Sequence, residues 1–558
     1  MKFYYSKSYV DLIDGIHVIQ DNVGTHYPAP WNDFDYIVTF NAVYVADSEI
    51  VKLGETKILV NGQANTSKYF LEKGVKIDEG KTTDISELLD VSNTVSLASD
   101  IAYYKAIHTH LSPDDAMSFL DGICDASYNY ENFESYKQWP GFKSALLRQG
   151  TTAKARIKKG YPTATGRYAR EAKFSIEVAS LPGSFEPLKF NFSSNRELGA
   201  TNINLLIGEN GTGKTHILKH IASLVTGLET STNSWPYFHK LVVAAFSPFE
   251  HFHTSNEVAE LLINKYAPQN MISRELSKSK RKRHLKINKY SYIGYKNESG
   301  KFQLDWPKEQ SAKSLLKIII DAEGTYNTWP KSRFSILKDT LQVALDFDTL
   351  GFKTKDGNHI LITEDFLNSP ESFSKSVDLR YGICFFKKGI EISLSSGQLI
   401  YSYMLPALAA EIEEESLVIL DEPELYLHPS LEIGLITMLQ NLLKDTYSYA
   451  VIATHSAVLA REIDSNGINI LRRSEQGTYS VKPAIETFGG SLDAIVGDVF
   501  DDYHEPKPYQ QIIDSEITKS KDHSELLKKI SPMVGDEALA YINSKLYPLP
   551  ETIVFKER

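Results

Sequence analysis

GENGTGKT, at residues 208–215, has the residue spacing of a phosphate-binding loop. The glycines of such a loop let backbone N–H groups face the β- and γ-phosphates, while Lys214 adds a positive charge and the Thr215 hydroxyl is a ligand for Mg²⁺. The apolar run before the loop (202–207) predicts a buried strand, and the run after it (216–225) has helical spacing. The sequence therefore predicts a nucleoside triphosphate site, with contacts from Gly208, Glu209, Asn210, Gly211, Thr212, Gly213, Lys214, Thr215 and His216.

A second motif, LSSGQ at 394–398, precedes a long apolar-periodic helix. By itself a Ser-Ser-Gly is most often a helix-capping turn. Its context is unusual, because SLVILDEPELYLHP follows at 416–429. Residues 417–420 predict a buried parallel strand that delivers Asp421 and Glu422 at its carboxyl end, where α/β proteins place their ligands. We expect Asp421 to hold Mg²⁺, directly or through water, and Glu422 to polarise the attacking water.

A third strand is predicted within YAVIATHSAVLAREI at 449–463, and it ends at Thr454 and His455. A lone histidine is more often a satisfied surface or core residue. His455, however, ends a strand, follows the Asp421–Glu422 pair and precedes a helix, so it is a candidate catalytic residue together with Glu422.

In this order, the phosphate-binding loop, LSSGQ, the Asp421–Glu422 segment and the His455 segment resemble the motifs of ABC-type ATPases of the SMC, RecF and OLD group. DEPELYLHP and ATHS are typical sequences of that group. The resemblance covers roughly residues 170–480. It implies that His455 is the switch histidine that contacts the γ-phosphate, and that His428 and Pro429 lie in the D-loop, which crosses to the other subunit. It also implies a head-to-tail homodimer that sandwiches two ATP molecules, in which the phosphate held by one subunit is contacted by the signature motif of the other, Ser395, Ser396, Gly397 and Gln398.

The layout of the chain narrows this resemblance. A large insertion at 255–390, a compact tail and the lack of coiled-coil arms are similar to the stand-alone ATPases of bacterial anti-phage systems, such as Septu-type and retron-associated ones.

One departure from the ABC-type pattern concerns the rate of ATP turnover. ABC-type enzymes usually carry a Gln after the second strand of this lobe, here 240–246, but the next Gln is Gln269. Ser247 and Glu250 are candidates for the role, with slow turnover as the alternative.

Composition sets further limits. A chain of 558 residues with 42% hydrophobic and 23% charged residues is long enough for two to four domains. It has neither an apolar run of membrane-spanning length nor a signal-like N-terminus, so a cytoplasmic location is expected. Cys124 and Cys384 form no CxxC pair, which argues against a disulfide framework and a zinc site. The net charge of −11 argues against global attraction to nucleic acid.

The predicted fold class is α/β: a P-loop NTPase with an ABC-type head, made of a mixed sheet and a helical signature subdomain, after a separate α+β N-terminal domain. The expected segments are an N-terminal domain of unknown role (1–150), a basic boundary loop (151–173), a nucleotide-binding lobe (174–256), a helical insertion (257–393), a segment with the signature, the acidic pair and the switch histidine (394–480), and a helical tail (481–558). Phe185 and Phe190 are the nearest aromatic candidates for stacking on adenine, although core positions are favoured for both.

A basic run without acids lies inside the insertion. Such a run is most often a solvated loop. The alternative is a salt-sensitive contact with a DNA or RNA backbone, with Tyr290, Tyr292 and Tyr295 available to stack on bases. The candidate contacts are Lys278, Lys280, Arg281, Lys282, Arg283, Lys286 and Lys289.

The tail contains one acidic cluster, DDYHE at 501–505, which lacks the spaced carboxylates of a TOPRIM nuclease and is interpreted as a surface cluster.

The sequence leaves three candidate functions open. The first is an ATPase that acts as sensor or regulator of a separate effector, a nuclease or toxin, in an anti-phage complex. The second is a DNA repair or recombination ATPase that binds DNA directly. The third is an ATP-bound scaffold with little hydrolysis.

Overall fold

The computed structural model of the chain describes residues 1–26, 29–33, 35–77, 81–147, 151–169, 173–179, 181, 185–193, 202–229, 238–266, 290–321, 329–368, 370–500, 507–520 and 522–547. They form two compact units, Met1–Leu492 and Asp493–Arg558. The first unit contains two seven-stranded sheets, one before and one within the region that carries the motifs.

The N-terminal sheet is antiparallel except for the pair β1–β2. Its strand order is β5-β6-β1-β2-β3-β4-β7. The strands are β1 Phe3–Ser6, β2 Gly15–Gln20, β3 Thr39–Ala46, β4 Glu49–Val60, β5 Val75–Ile77, β6 Thr82–Asp84 and β7 Thr94–Ala98.

Helices cover this sheet and bury an aromatic core that includes Phe40, Phe70, Tyr104 and Phe119. The first three begin at side-chain caps, such as Ser112, whose hydroxyl accepts from the Asp115 N–H. The helices are α1 Thr66–Lys73, α2 Ile101–His110, α3 Pro113–Gly122, α4 Phe133–Tyr136 and α5 Thr151–Ala164.

The expectation of a boundary loop at 151–173 is wrong for its first half, because residues 151–164 form α5. The small residues that suggested a loop serve close packing instead. A Cβ atom at Gly160 would lie 2.5 Å from the Tyr104 ring, so only glycine lets α5 approach this ring of α2. The helix then leads to β8 Lys173–Val178 and β9 Leu188–Ser193, a two-stranded antiparallel sheet.

The second seven-stranded sheet has the order β12-β11-β17-β18-β10-β19-β20 and is parallel except for the last pair. Strands β10, β11 and β17 are buried along their whole length, as apolar runs in a parallel sheet require. The strands are β10 Ile203–Gly208, β11 Lys240–Ala245, β12 Tyr290–Gly294, β17 Ser416–Asp421, β18 Tyr449–Ala453, β19 Ile468–Ser474 and β20 Gly477–Val481.

The helices of this region are α6 Lys214–Thr226, α7 Ser255–Tyr266, α8 Trp306–Asp321, α9 Trp329–Ala344, α10 Glu364–Asn368, α11 Pro370–Ser374, α12 Ser396–Glu411, α13 Pro429–Asp445 and α14 Ala457–Arg461. The predicted helical insertion at 257–393 contains strands as well as helices. Strand β12 joins the parallel sheet, and a four-stranded antiparallel sheet of order β14-β13-β15-β16 precedes α12. Its strands are β13 Thr349–Lys353, β14 His359–Leu361, β15 Ile383–Lys387 and β16 Ile390–Glu391.

A buried carboxylate joins the N-terminal region to the parallel sheet. Glu415 lies one residue before β17 and accepts hydrogen bonds from Lys159 Nζ of α5 at 2.6 Å and from the Tyr168 hydroxyl at 2.6 Å. His239 Nε2 is 3.2 Å from the same carboxylate. The Lys159 ammonium and the His239 ring hold the pKa of Glu415 below its usual range against the effect of burial.

The second unit is helical in its described part, with α15 Leu492–Val499, α16 Pro508–Lys519, α17 His523–Ile530 and α18 Asp536–Leu546. Across all described residues of the chain, no helix combines the length and the apolar character that a membrane crossing needs.

Candidate nucleotide-binding site

Three adjacent parallel strands bring the sequence motifs to one edge of the sheet. Strand β18 lies between β10 and β17, with Ala453 paired to Leu206 on one side and to Asp421 on the other. The loop after β10, the acidic pair at the end of β17 and His455 after β18 therefore meet at the carboxyl ends of their strands.

The loop at 208–213 has the backbone that its glycines predict. Gly211 and Gly213 have φ values of 83° and 96°, in the left-handed region that favours glycine. The Lys214 ammonium, at the start of α6, donates to the Gly208 carbonyl at 2.9 Å and to the Glu209 carbonyl at 3.3 Å. Burial lowers the pKa of Lys214, and the nearby carboxylates of Glu422 and Asp421 oppose that shift.

The two predicted Mg²⁺ ligands are in contact. The Thr215 hydroxyl lies 2.9 and 3.1 Å from the two oxygens of the Asp421 carboxylate. Burial raises the pKa of Asp421 to about 6, although the Thr215 hydrogen bond lowers it. A hydroxyl and a carboxylate beside a phosphate-binding loop are the oxygen donors that Mg²⁺ takes in such sites.

Lys214, His455 and Glu422 form a connected polar group. Lys214 Nζ lies 2.6 Å from His455 Nε2, and this ring nitrogen is 3.5 Å from Glu422 Oε1. The ammonium can donate to Nε2, and the Glu422 carboxylate can accept from a protonated Nε2, so the tautomer of the ring decides which of the two contacts is a hydrogen bond. Contact with His455 and the Lys214 charge hold the pKa of Glu422 below its usual range, so this carboxylate is ionised near neutral pH.

The signature motif lies at a helix start, as predicted. Helix α12 begins at Ser396, and the Ser395 N–H donates to Gln398 Oε1 at 3.0 Å as part of a capping box. A Cβ atom at Gly397 would lie 2.4 Å from the Tyr426 carbonyl, so the glycine permits close packing on the segment after Glu422. No hydrogen bond joins 394–398 to 208–216, two stretches that the structure describes in full. Ser395 and Ser396 are exposed instead.

Part of the region described above lies in a segment that matches a protein-family model. Residues 346–461, which include the signature, the acidic pair and His455, match the family model described as "AAA domain, putative AbiEii toxin, Type IV TA system". The chain has an ABC-type P-loop ATPase fold. The match covers a segment of the chain, while the loop at 208–215 and the strand order supply the rest of the ABC-type features.

A relative matches nearly the whole length of the chain. Protein ea59 of Escherichia phage lambda is 24% identical over 543 residues, which cover 92% of this chain and 93% of that protein. Among solved structures, an ATP-binding cassette of an ABC transporter in its ADP conformation is 13% identical and covers 58% of this chain and 93% of that one, with a TM-score of 0.27. An SMC head bound to the C-winged helix domain of ScpA is 13% identical, with coverages of 54% and 94% and a TM-score of 0.27.

Glu424 is a site residue that the sequence analysis missed. Its Oε1 accepts from the His455 backbone N–H at 2.6 Å, so it fixes the turn that carries the histidine. Its other oxygen, Oε2, is buried without a hydrogen-bond partner, and burial raises the pKa of this carboxyl. The signal was its position two residues after Glu422 in the DEPE run of the ABC-type motif.

The two aromatic candidates lie in different places. Phe190 is fully buried in the core, as favoured by the sequence. The Phe185 ring lies parallel to the His216 ring at 5.7 Å, and a Cβ atom at Gly213 would touch it at 2.6 Å. Phe185 therefore lies against the phosphate-binding loop.

Glu250, one of two candidates for the missing Gln, is held by structural contacts. Its carboxylate accepts from the Tyr292 hydroxyl at 2.6 Å and from the Phe252 N–H, and it is buried. The other candidate, Ser247, accepts from the Phe249 N–H at 3.3 Å and is half-exposed. Ser247 thus remains the more accessible of the two.

The basic run at 278–289 lies outside the described residues. Two of the tyrosines beside it are not available for stacking on bases, because Tyr290 and Tyr292 are 7% and 6% exposed. Their hydroxyls donate to the His253 carbonyl and the Glu250 carboxylate. Tyr295 packs against Phe246 and Phe302.

Proposed function

We propose that the chain binds ATP with Mg²⁺ and hydrolyses it to ADP and phosphate at the site around Lys214. The observation that carries this proposal is the convergence of Lys214, Thr215, Asp421, Glu422 and His455 at the carboxyl edge of three adjacent parallel strands. A phosphate-binding loop, a metal-ligand pair and an ionised carboxylate are the parts that phosphoryl transfer to water requires.

Each group has a role that follows from its surroundings. The backbone N–H groups of 209–215 and the Lys214 ammonium bind the β- and γ-phosphates. Thr215 and Asp421 would hold Mg²⁺, which neutralises phosphate charge when it is bound. Glu422, kept ionised by its neighbours, orients the attacking water and accepts its proton. His455 contacts the γ-phosphate, and Glu424 keeps the histidine in position.

The proposed active species is a head-to-tail homodimer. Ser395 and Ser396 lie at the N-terminus of a 16-residue helix, are exposed, and have no hydrogen bond to the loop of their own chain. Their N–H groups and the positive end of the helix dipole suit a γ-phosphate held by a second subunit. ATP would favour the closed dimer through contacts that are lost when the γ-phosphate leaves.

The proposed biological role is that of a cytoplasmic sensor or regulator that acts with a separate effector, a nuclease or toxin, in bacterial defence against phage. Two findings support it. The matched family description names a putative toxin of a toxin–antitoxin system, and the lambda relative shows that chains of this layout occur in a phage genome. Septu-type and retron-associated ATPases are the systems that the layout resembles.

A second candidate is a DNA repair or recombination ATPase that binds DNA directly. The observation that favours it is the basic run, with Lys278, Lys280, Arg281, Lys282, Arg283, Lys286 and Lys289 and no acid among them. A third is an ATP-bound scaffold. The observation that favours it is that Glu250 already accepts a hydrogen bond from Tyr292. The role that the missing Gln has in ABC-type enzymes is then left to Ser247 or to no side chain in this segment.

One experiment separates the three candidates. ATP turnover of the purified chain is measured with and without single- and double-stranded DNA, while its mass in solution is followed with and without ATP. The regulator is supported by two results together. ATP turnover is slow and does not change with DNA, and the dimer forms a larger complex with the product of a neighbouring gene. Stimulation by DNA that weakens with salt supports direct DNA binding. ATP binding without turnover in every condition supports the scaffold, and absence of ATP binding overturns the proposal.

A further inference from the structure

Three potential metal ligands converge on the four-stranded sheet before the signature helix. His359 Nε2, Cys384 Sγ and a Glu391 carboxylate oxygen all lie within 4.8 Å of one another. One pair, His359 Nε2 and Glu391 Oε2, is 3.2 Å apart. The cysteine is buried, while the histidine and the glutamate side chains are 34% and 48% exposed.

The strand register places these side chains on one face. His359 pairs with Lys353, and Cys384 pairs with Gly351 two residues away on the same strand, β13. Glu391 pairs with Phe386, which is two residues from Cys384. Residues directly opposite each other, or two apart on one strand, project to the same face of a sheet. The grouping is therefore built into the pairing of the strands.

Gly351 keeps the space between these donors open. A Cβ atom there would lie 2.7 Å from the Ile360 carbonyl and 2.9 Å from the Phe386 ring. Any other residue would push these groups away and place a side chain between β14 and β15. With glycine at this point, His359 and Cys384 approach each other diagonally across β13.

We propose that His359, Cys384 and Glu391 bind one Zn²⁺ ion. Imidazole nitrogen, thiolate and carboxylate are the donors that zinc takes, with bonds of about 2.0 to 2.3 Å. Tetrahedral bonds of these lengths separate neighbouring ligand atoms by about 3.3 to 3.8 Å. The 3.2 Å pair already has such a spacing, and the third donor lies within 4.8 Å of both. The exposed side of the cluster leaves a fourth position for water.

The proposed zinc site lies directly before the signature motif. Strand β16 has two residues, and Glu391 is three residues before the signature motif. The strand is held by two ladder pairs with β15 and by the Ile392 N–H, which donates to the Phe385 carbonyl at 2.9 Å. A metal that binds Glu391 together with β14 and β15 fixes the segment that leads into α12. This inference does not depend on ATP hydrolysis.

The test uses full-length protein without a histidine tag, freed of metal with a chelator. Zn²⁺ binding is measured by calorimetry, and Co²⁺ is used as a spectroscopic probe because a thiolate ligand gives a charge-transfer absorption band. We expect one equivalent of Zn²⁺ and a Co²⁺ band that Cys384→Ser removes. Cys124→Ser, at the other cysteine of the chain, is the matched control and should keep the band.

His359→Gln and Glu391→Gln change exposed side chains, so both variants should fold, and both should bind Zn²⁺ at least tenfold more weakly. Hydrogen exchange of amides 390–398 should slow when Zn²⁺ is added to the parent and stay unchanged in His359→Gln. A band that survives Cys384→Ser, or a parent that binds no Zn²⁺, would overturn the site. Binding without slower exchange at 390–398 would overturn its effect on the signature segment.

Discussion

Six strands run parallel in the sheet that contains β10 and β17, whereas in the N-terminal sheet β1 and β2 are the parallel pair and all other pairs are antiparallel. In the parallel sheet, the carboxyl ends of neighbouring strands lie at one edge, so Lys214, Asp421 and His455 meet there. In the antiparallel sheet, neighbouring strand ends alternate between edges. The parallel arrangement therefore gathers the predicted site residues at one edge, whereas the antiparallel arrangement distributes its strand ends over both edges.

Both regions contain a buried aspartate, Asp421 at the end of a parallel strand and Asp125 beside the N-terminal sheet. Burial raises the pKa of each carboxyl to about 6. Asp421 shares its oxygens with Thr215 at the phosphate-binding loop. Asp125 accepts from the Tyr104 hydroxyl and the Ser127 backbone N–H inside the N-terminal core. Similar electrostatics thus occur at the candidate nucleotide-binding site in one region and inside the core in the other.

The largest expected effect is that of Lys214→Ala, which should reduce ATP binding below detection. The variant removes the ammonium that faces the phosphates and leaves the N-terminal sheet untouched. Calorimetric titration with Mg-ATP measures it, and Lys444→Ala, at an exposed helix end, is the control. Unchanged ATP affinity in Lys214→Ala would mean that the phosphates bind elsewhere.

Glu422→Gln should lower ATP turnover at least 100-fold and keep ATP affinity within about threefold, because a general base is worth about 10² to 10⁴ in rate. Single-turnover hydrolysis and equilibrium binding are measured on the same preparation. The exposed Glu475 serves as a matched control through Glu475→Gln. Turnover at the parental rate in Glu422→Gln would show that another group activates the water.

Lys57→Ala tests the supporting role of the N-terminal sheet. Lys57 Nζ is buried and donates to Asp33 Oδ1 at 2.9 Å and to the Ala145 carbonyl at 2.8 Å. Removal of one partner of a buried ion pair costs about 3 to 5 kcal/mol of unfolding free energy. Urea unfolding should show this loss, with little change for the exposed Lys76→Ala. If Mg-ATP affinity of the folded variant fell as strongly as stability, the division of roles between the sheets would be wrong.

The pH dependence of stability should distinguish Asp125→Asn from its parent. The folded state holds a proton on Asp125 up to about pH 6, while the unfolded carboxyl has its usual pKa of 3.8. This stabilisation is present below about pH 4 and is lost as the pH rises to about 6, a change of about 2 to 3 kcal/mol.

Urea unfolding between pH 4 and 7 measures the difference. Asp125→Asn lacks the titrating group, so its stability relative to the parent should improve as the pH rises across this range. The exposed Asp114→Asn should keep the parental profile. Parallel profiles for Asp125→Asn and the parent would contradict the raised pKa.

The smallest expected effect is that of Phe185→Ala, which should weaken ATP binding by about 1 to 3 kcal/mol, the value of one aromatic stack on a base. Phe185→Tyr keeps the ring and should keep the affinity. Titrations with ATP and with inorganic triphosphate separate the base from the phosphates, since triphosphate binding should be unaffected. Equal losses for both ligands would place the effect on the loop at Gly213 instead.

The parallel sheet and its loops were predictable because their sequence signals are local. A glycine-rich loop after an apolar strand, or Asp421 and Glu422 after another, identifies both the element and its edge. An α+β domain was predicted for the N-terminal region, but the order of its strands was not, because β1 pairs with β6 across 75 residues of chain. Helix α5 was missed because the small residues within 151–173 were interpreted as a sign of a loop, and the sheet β13–β16 was missed because its strands are two to five residues long.

The contact of Glu415 with Lys159 and Tyr168 has a consequence for how the protein can be divided. A truncation that begins after Tyr168 would leave this buried carboxylate with His239 as its remaining partner of the three, directly before the strand that carries Asp421 and Glu422. We therefore expect the region after Tyr168 to be less stable alone than in the full chain. Inheritance of both regions as one piece is expected, and the lambda relative, which matches 92% of the chain, has that extent.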